Sequence, residues 1–446
     1  MDKQKKAVWG WVLYDWANSA FATTVMAGFF PVFFKKYWSL GADVNTSTAQ
    51  LGFGNAVGGL IVALLAPVLG AIADSGSAKK RFLIFFSYLG VVMTACLSLV
   101  QQGAWAWAVF FYVMAVLGFS GANTFYDSLL PHVAREEKVD YVSGLGFSMG
   151  YLGGGLLFLA NVLMTLMPQK FGLADATQAV KVSFVSVAVW WGFFTLFTIL
   201  WVPEVRGEGP AGQKGGAVSR GFRQFAGTFR KVSHLRTILL FLAAYWFYID
   251  GVDTIIRMAV DYGMSLGFDS NDLIVALLIV QFVGFPAALA FGKLGERWGV
   301  RKAIFLAIGV YLFITLWGVL MRSRQEFYAL AVIIGLVQGG IQALSRSFYS
   351  RLIPKDQSAE YFGFYNMLGK FAAILGPALM AAVGLLTRWA LMPPNPSPEQ
   401  VVAVGQSATR LGLASVLVLF LVGGVLFYFV DEEKGRAEKE HLAKEM

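Results

Sequence analysis

Charge is what this chain has least of. Only 14% of its 446 residues are Asp, Glu, Lys or Arg, where a soluble globular domain carries about 25%. With 57% hydrophobic residues there is too little polar surface to face water, so the chain belongs in a membrane. Cysteine is almost absent: Cys96 has no second cysteine to pair with and reads as an apolar packing group. Histidine is nearly as rare, and His132, His234 and His441 all fall in loops or in the tail. No His-Glu-x-x-His helix, Cys/His cluster or glycine-rich phosphate loop occurs. The chain is therefore expected to be no enzyme, to need no metal or cofactor, and to work without nucleotide hydrolysis. Short strands of alternating polarity are lacking too, which excludes an outer-membrane barrel.

What is present is apolar sequence in long runs. Twelve segments of about 20 residues, enough to span a bilayer as helices, lie near 8–34, 49–73, 82–101, 104–128, 141–166, 179–203, 236–262, 272–295, 302–321, 326–350, 359–386 and 409–430. The expected fold is an all-α integral membrane protein. Its first segment is too long, and too polar in its first half, for a cleaved signal peptide. The net charge of +9 invites a nucleic-acid partner, but the charge is distributed otherwise. Alternate loops, beginning with the N-terminal tail, hold most of the 36 Lys and Arg. Basic loops remain cytoplasmic, so both termini are expected in the cytoplasm of a multi-pass protein of the plasma (inner) membrane. The expected partner is the lipid bilayer, and the expected state a monomer.

An ionisable side chain at membrane depth costs several kcal/mol unless it finds a partner or water, so charged positions inside spans are the candidate site. Asp15, Asn18, Ser19 and Ala22 recur at i, i+3, i+4 and i+7, a narrow polar stripe on the first span, with Trp16, Phe21 and Val25 on its other face. The seventh span carries Asp250, Asp253, Arg257 and Asp261 within an arc of about 80°. Arg257 thus has a carboxylate one turn away on either side, and pairing would lower its cost. The tenth span presents Gln338, Gln342, Ser345 and Arg346, the fourth Ser120, Asn123 and Asp127, and the eleventh Asn366 and Lys370. Asp127, Asp261 and Arg346 lie near span ends and read equally well as structural ion pairs or snorkelling groups. Acids and bases mixed in one cavity suit a zwitterion. A lipophilic cation would need acids and aromatic walls, which the 15% aromatic content also permits.

The second half of the chain repeats the first. Gly70-Ala-Ile-Ala-Asp74, followed by Lys79, Lys80 and Arg81, has its counterpart in Gly292-Lys-Leu-Gly-Glu296-Arg297, followed by Arg301 and Lys302. Thr124-Phe-Tyr-Asp-Ser-Leu-Leu-Pro131 returns as Ser347-Phe-Tyr-Ser-Arg-Leu-Ile-Pro354 at nearly the same offset. Asp15-Trp-Ala-Asn18 matches Asp250-Gly-Val-Asp253. Matches in the same order indicate two parallel repeats, six-helix bundles over 1–203 and 236–430. Between them, 204–235 is a basic linker in which Phe222, Phe225 and Phe229 suit either a helix on the membrane surface or a solvated segment. Residues 431–446 form a charged tail. Gly54, Gly58 and Gly59 on helix 2, and Gly144, Gly146, Gly150, Gly153, Gly154 and Gly155 on helix 5, are candidate close-packing seams.

Two six-helix halves with this loop after helices 2 and 8 resemble the major facilitator superfamily. The usual loop has an arginine directly after the acid; Arg297 keeps it, whereas Ser75 replaces it in the first half and implies a weaker latch there. Tyr14-Asp15-Trp16-Ala17-Asn18-Ser19, with Asp250-Gly-Val-Asp253, resembles the branch of autophagy-related vacuolar amino-acid effluxers and their bacterial relatives. The resemblance implies alternating access, with helices 1, 4, 7 and 10 around a central cavity and gating loops at Asp74 and Glu296. The expected function is secondary transport of a small zwitterionic solute, an amino acid or similar, coupled to the proton. Efflux of lipophilic or cationic compounds is the alternative. The substrate and coupling set is Asp15, Asn18, Asn123, Asp250, Asp253, Arg257, Gln342, Arg346 and Lys370. Within it Asp250 is the expected proton carrier and Asp15 the alternative, while Arg257 and Arg346 would orient a substrate carboxylate.

The topology is open to direct measurement. In a Cys96→Ser background, single cysteines at Ser77, Gly212 and Ser358 should be protected from an impermeant thiol reagent in intact cells, and one at Ser397 should be labelled. External labelling at Gly212 would overturn the two-repeat assignment.

Overall fold

The computed structural model describes residues 2–41, 44–76, 78–205, 235–265 and 270–445. Its helices are α1 (Lys3–Trp38), α2 (Val44–Ser75), α3 (Lys79–Leu97), α4 (Trp105–Val133), α5 (Val139–Leu166) and α6 (Ala176–Trp201). Then follow α7 (Arg236–Ser265), α8 (Ser270–Trp298), α9 (Val300–Leu320), α10 (Arg324–Leu352), α11 (Ser358–Leu391), α12 (Pro398–Tyr428) and the polar α13 (Glu432–Glu445). Among the described residues eleven helices are long and apolar enough to cross a membrane, and α11 contributes a shorter apolar run, Leu375–Leu391. Most of the linker, 206–234, lies outside the described residues, and with it Phe222, Phe225 and Phe229.

Local chemistry sets the helix ends. Asp175, Ser323 and Ser397 each accept the backbone N–H three residues on, and Ser397 with Gln400 forms a full capping box ahead of Pro398. Gly299, at φ +88°, makes the sharp turn between α8 and α9 that a residue with Cβ resists. Helix α1 runs four residues beyond its expected end. Pro31 has no N–H to give, and instead of stopping the helix it sits between wide-wound turns over Phe21–Phe29 and Phe34–Trp38.

The helix pairings recur six helices on. α1 packs on α5 and α6 as α7 packs on α11 and α12, α3 on α4 as α9 on α10, and α2 on α4 as α8 on α10. The broadest contacts between residues 1–203 and 236–430 are α2 with α11 and α5 with α8, joined by α5 with α10 and α4 with α11. Exposed Leu64, Phe85, Leu99, Leu200 and Leu320 form an outer surface suited to lipid.

Glycine decides how closely these helices approach, though not at every expected position. On α5, Gly146 and Gly150 lie against Asp15, Gly153 against Trp16, and Gly144 against the backbone of Ala288 and Gly292 on α8. On α2 the close approach is made by Gly70, where an added Cβ would stand 2.2 Å from the Ala359 carbonyl oxygen. Gly58 meets only Val113, Gly59 has nothing within 4 Å, and the side of Gly54 lies outside the described residues. Gly70→Val should therefore cost about 1–3 kcal/mol by overpacking. Gly59→Ala should stay within about 0.5 kcal/mol of the parent. Thermal unfolding of the two purified variants in one detergent checks both.

Candidate functional site

Five helices converge on Arg346. The residue is on α10, one turn and a half before that helix ends, and only 3% of it is exposed. Its Nη1 donates to Asp127 Oδ1 on α4 at 3.1 Å and lies 3.8 Å from Asp15 Oδ2 on α1. Nε donates to the Ser143 hydroxyl and Nη2 to the Ser143 carbonyl on α5, both at 3.0 Å. The guanidinium is further packed among the rings of Phe147, Trp11 and Tyr126, with ring centroids 4.4, 4.8 and 5.2 Å away. Asp127 also accepts from the Asn366 amide on α11 at 3.1 Å, and Asp15 accepts from the Tyr126 hydroxyl at 3.1 Å and from Ser19 at 3.4 Å. Two acids and one base share one buried site, and the low local dielectric strengthens each contact.

Other residues of the expected set adjoin this cluster or lie elsewhere. Asn18 donates to the Asn123 side chain at 2.5 Å, linking α1 to α4 one turn beyond Asp15. Gln342, one turn before Arg346, is half-buried. Asp250 is wholly buried between α7 and α11: both carboxylate oxygens accept the Gly376 N–H at 3.0 Å, and Oδ1 accepts from Thr254 at 3.3 Å. Asp253 is half-buried and Arg257 exposed. The side chains of Asp261 and Lys370 lie outside the described residues.

The acid-then-bases loops stand at the end of the bundle that carries both termini. Asp74 is buried, paired with Lys79 at 2.9 Å, and its two oxygens accept the backbone N–H groups of Ala359 and Glu360 at 3.3 and 2.8 Å. Those amides begin α11, where the helix dipole favours a carboxylate. Lys79 is satisfied from four sides, since Nζ also reaches the Ser358 hydroxyl at 2.7 Å, the Lys355 carbonyl at 3.2 Å and His132 at 3.3 Å. The first-half loop is thus firmly clasped although Ser75 replaces the usual arginine; the side chain of Ser75 lies outside the described residues. Ser358 is fully buried in this clasp, so a thiol there would be protected on either side of a membrane. The second-half loop is looser. Among the described residues Glu296 pairs with the exposed Lys138 at 3.3 Å, Arg297 and Lys302 are exposed, and Arg301 caps the Tyr428 carbonyl. Lys80 donates its amide to Glu204 at 3.0 Å, and Arg81 is exposed.

Sequence reasoning missed Ser143, Tyr126 and Trp11, which complete the shell around Arg346. It missed as well the buried Asp140–Arg351 pair at the same end as the clasp. Asp140 and Arg351 flank turns that read as ordinary loops. Tyr126 and Trp11 read as aromatic filler, and only their spacing of one turn from residues of the expected set, Trp11 before Asp15 and Tyr126 after Asn123, could have singled them out.

Paired helix bundles with repeated packing and a buried ionic cluster where they meet are the architecture of a multi-pass membrane transporter of the major facilitator fold. The model of the family described as "Vacuole effluxer Atg22 like" matches residues 3–388, and the chain belongs to that family. The uncharacterized MFS-type transporter YxiO of Bacillus subtilis (strain 168) is 38% identical over 425 residues, covering 95% of this chain and 94% of that protein. Autophagy-related protein 22-1 of Aspergillus niger is 22% identical over 495 residues, covering 91% of this chain and 76% of that protein. Among solved structures, the human organic anion transporter MFSD10 (TETRAN) superposes with a TM-score of 0.69 at 13% identity, over 96% of this chain and all of that one. The proton:xylose symporter XylE does so with a TM-score of 0.65 at 12% identity, over 99% and 98% of the two chains. At such identities the likeness is one of fold. The chain is a secondary transporter that acts in a lipid bilayer on small molecules.

The cluster's energetics can be tested by removing its base. Arg346→Met leaves two carboxylates facing each other out of water and should cost about 3–5 kcal/mol of stability. Adding Asp127→Asn to Arg346→Met removes one of the stranded charges and should recover part of the loss. Thermal unfolding of the purified variants measures both; an Arg346→Met protein as stable as the parent would mean that the cluster carries no such coupling.

Proposed function

We propose that this chain moves a small zwitterionic solute, an amino acid or similar, across the plasma membrane in exchange for or together with protons. Twelve spans in two six-helix units, residues 1–203 and 236–430, alternate access around the Arg346 cluster, with linker 204–235, tail 431–446 and both termini in the cytoplasm. One chain suffices. The observation that carries the reading is the composition of the cluster: two carboxylates against one guanidinium, contributed by helices of both units. An acid in excess of the bases at membrane depth is a place for one proton or one ammonium group. The base, once exchanged from its acids, is a partner for a substrate carboxylate. The recurring helix pairings support movement as two units.

The cluster also redistributes the expected roles. Asp15 is the looser of the two acids on Arg346, at 3.8 Å against 3.1 Å for Asp127, and is the better proton carrier. Asp250, held by the Gly376 amide inside one unit, serves the α7–α11 contact. The aromatic rings around Arg346 favour a second reading, in which the site takes lipophilic or cationic compounds. The effluxer description of the family supports outward movement.

Reconstitution in liposomes separates these possibilities. Asp15→Asn should abolish accumulation driven by a pH gradient, bringing it down to the equilibrium level, while exchange of labelled for unlabelled solute continues. Asp250→Asn should keep gradient-driven accumulation. The reverse pattern would return the proton to Asp250, and loss in neither variant would point to facilitated diffusion or another ion. A thermal-shift screen in which lipophilic cations stabilise the protein and no amino acid does would overturn the zwitterion in favour of the second reading.

A further inference from the structure

Helix α13 is a polar helix of fourteen residues, Glu432–Glu445, too short and too hydrophilic to be stable alone in water. It begins at Asp431, whose carboxylate accepts the N–H groups of Glu433 and Lys434 at 3.0 and 3.2 Å. The Lys434 amide, with that of Glu433, holds the Asp431 carboxyl below its ordinary pKa, as expected of a working N-cap. What orders the rest is the bundle. Glu438 accepts the backbone N–H of Thr237 at 3.2 Å and its hydroxyl at 3.0 Å, so it covers the first turn of α7. Lys439 donates to the Arg351 carbonyl at the end of α10 at 3.1 Å, and burial there pushes its ammonium below the ordinary lysine pKa. Gly435 fits against Leu352 and Thr237, where a Cβ would stand 2.6 Å from the leucine side chain.

From this footing the helix reaches across to the first unit. Arg436 lies 3.7 Å from Glu136, just ahead of α5. Glu432 lies 3.5 Å from the Arg351 guanidinium, whose other end is paired with Asp140 in the first turn of α5. Arg351 is thereby the middle member of a chain that runs from α5 through α10 to α13. These contacts stand beside the Asp74 clasp, at the end of the bundle where α2 meets α11 and α5 meets α8.

We propose that α13 is a strap: it is footed on α7 and α10, holds α5 through Glu136 and Asp140, and must let go before this end of the transporter opens. The inference rests on alternating access. The strap works alongside the Asp74 clasp: the clasp joins α2 to α11, and the strap ties α5 to α7 and α10. Its ion pairs are half-exposed except at Asp140 and Arg351, so they break and re-form at low cost and weaken with salt. That suits a fastening which opens in every cycle.

Distance measurement by electron spin resonance tests it. Labels are placed on cysteines at Arg135 and Asp356, exposed on loops of opposite units, in the full chain carrying Cys96→Ser. Arg436→Glu with Glu438→Lys should raise the long-distance fraction about fivefold over the parent, because reach and footing are reversed together. Glu136→Arg added to Arg436→Glu alone restores opposite charges and should return the fraction to that of the parent. If it does not, Arg436 does not reach the first unit and the strap is overturned. A distribution that Asp74→Ala lengthens but the tail variant leaves unmoved also overturns the strap, with alternating access intact. A single distance in every variant, Asp74→Ala included, overturns both.

Discussion

A guanidinium buried among apolar helices must be answered by acids, and the bundle is arranged so that it is. Arg346 takes Asp127 from α4, leans toward Asp15 from α1 and uses its remaining N–H groups on Ser143 of α5. Removing Arg346 leaves two carboxylates stranded at a depth where water cannot compensate, so the five helices that meet there are held in register by electrostatics as much as by packing. The glycines of α5 make this possible. Gly146 and Gly150 leave room for the Asp15 carboxylate between two helices, where a larger residue would drive it away from Arg346.

The same economy of charge governs the end that carries the termini, by a different device. There three acids are answered by helix N-termini: Asp74 by α11, Glu204 by α3 and Glu438 by α7. Free amides at a helix start offer two or three donors and a favourable dipole, which suits a carboxylate. Buried lysine is the exception. Lys79 is enclosed by Asp74, Ser358, His132 and the Lys355 carbonyl, and its full set of partners makes this a firm contact between α2, α3 and the start of α11.

Membership of the Atg22-like family and the major facilitator fold establish a secondary transporter, and the cluster adds chemistry to that class. Acids in excess of bases favour a cation or a proton, and a base held by exchangeable partners favours an anion; the proposed zwitterion rests on both. Asp250 illustrates why the site had to be read in three dimensions. In the sequence it is the counterpart of Asp15 and shares one helix face with Asp253, Arg257 and Asp261. In the structure its carboxylate faces a backbone amide, whereas Asp15 faces Arg346.

Much was determined by local sequence. Spanning length follows from apolar runs, because each run must match the bilayer thickness. The polar stripe of Asp15, Asn18 and Ser19 follows from helical period, and the repeat from matched motifs such as Gly70-to-Asp74 and Gly292-to-Glu296. These properties depend only on residues a few positions apart. Which acid meets which base was decided by tertiary structure alone. Asp127 and Asp15 reach Arg346, Asp74 reaches the start of α11, and Glu438 reaches the start of α7. Such pairings join residues distant in the chain, and they depend on how closely helices approach and how they are rotated. Those variables are set by side-chain volume at every interface together, as at Gly70 against Ala359, and no local pattern encodes them.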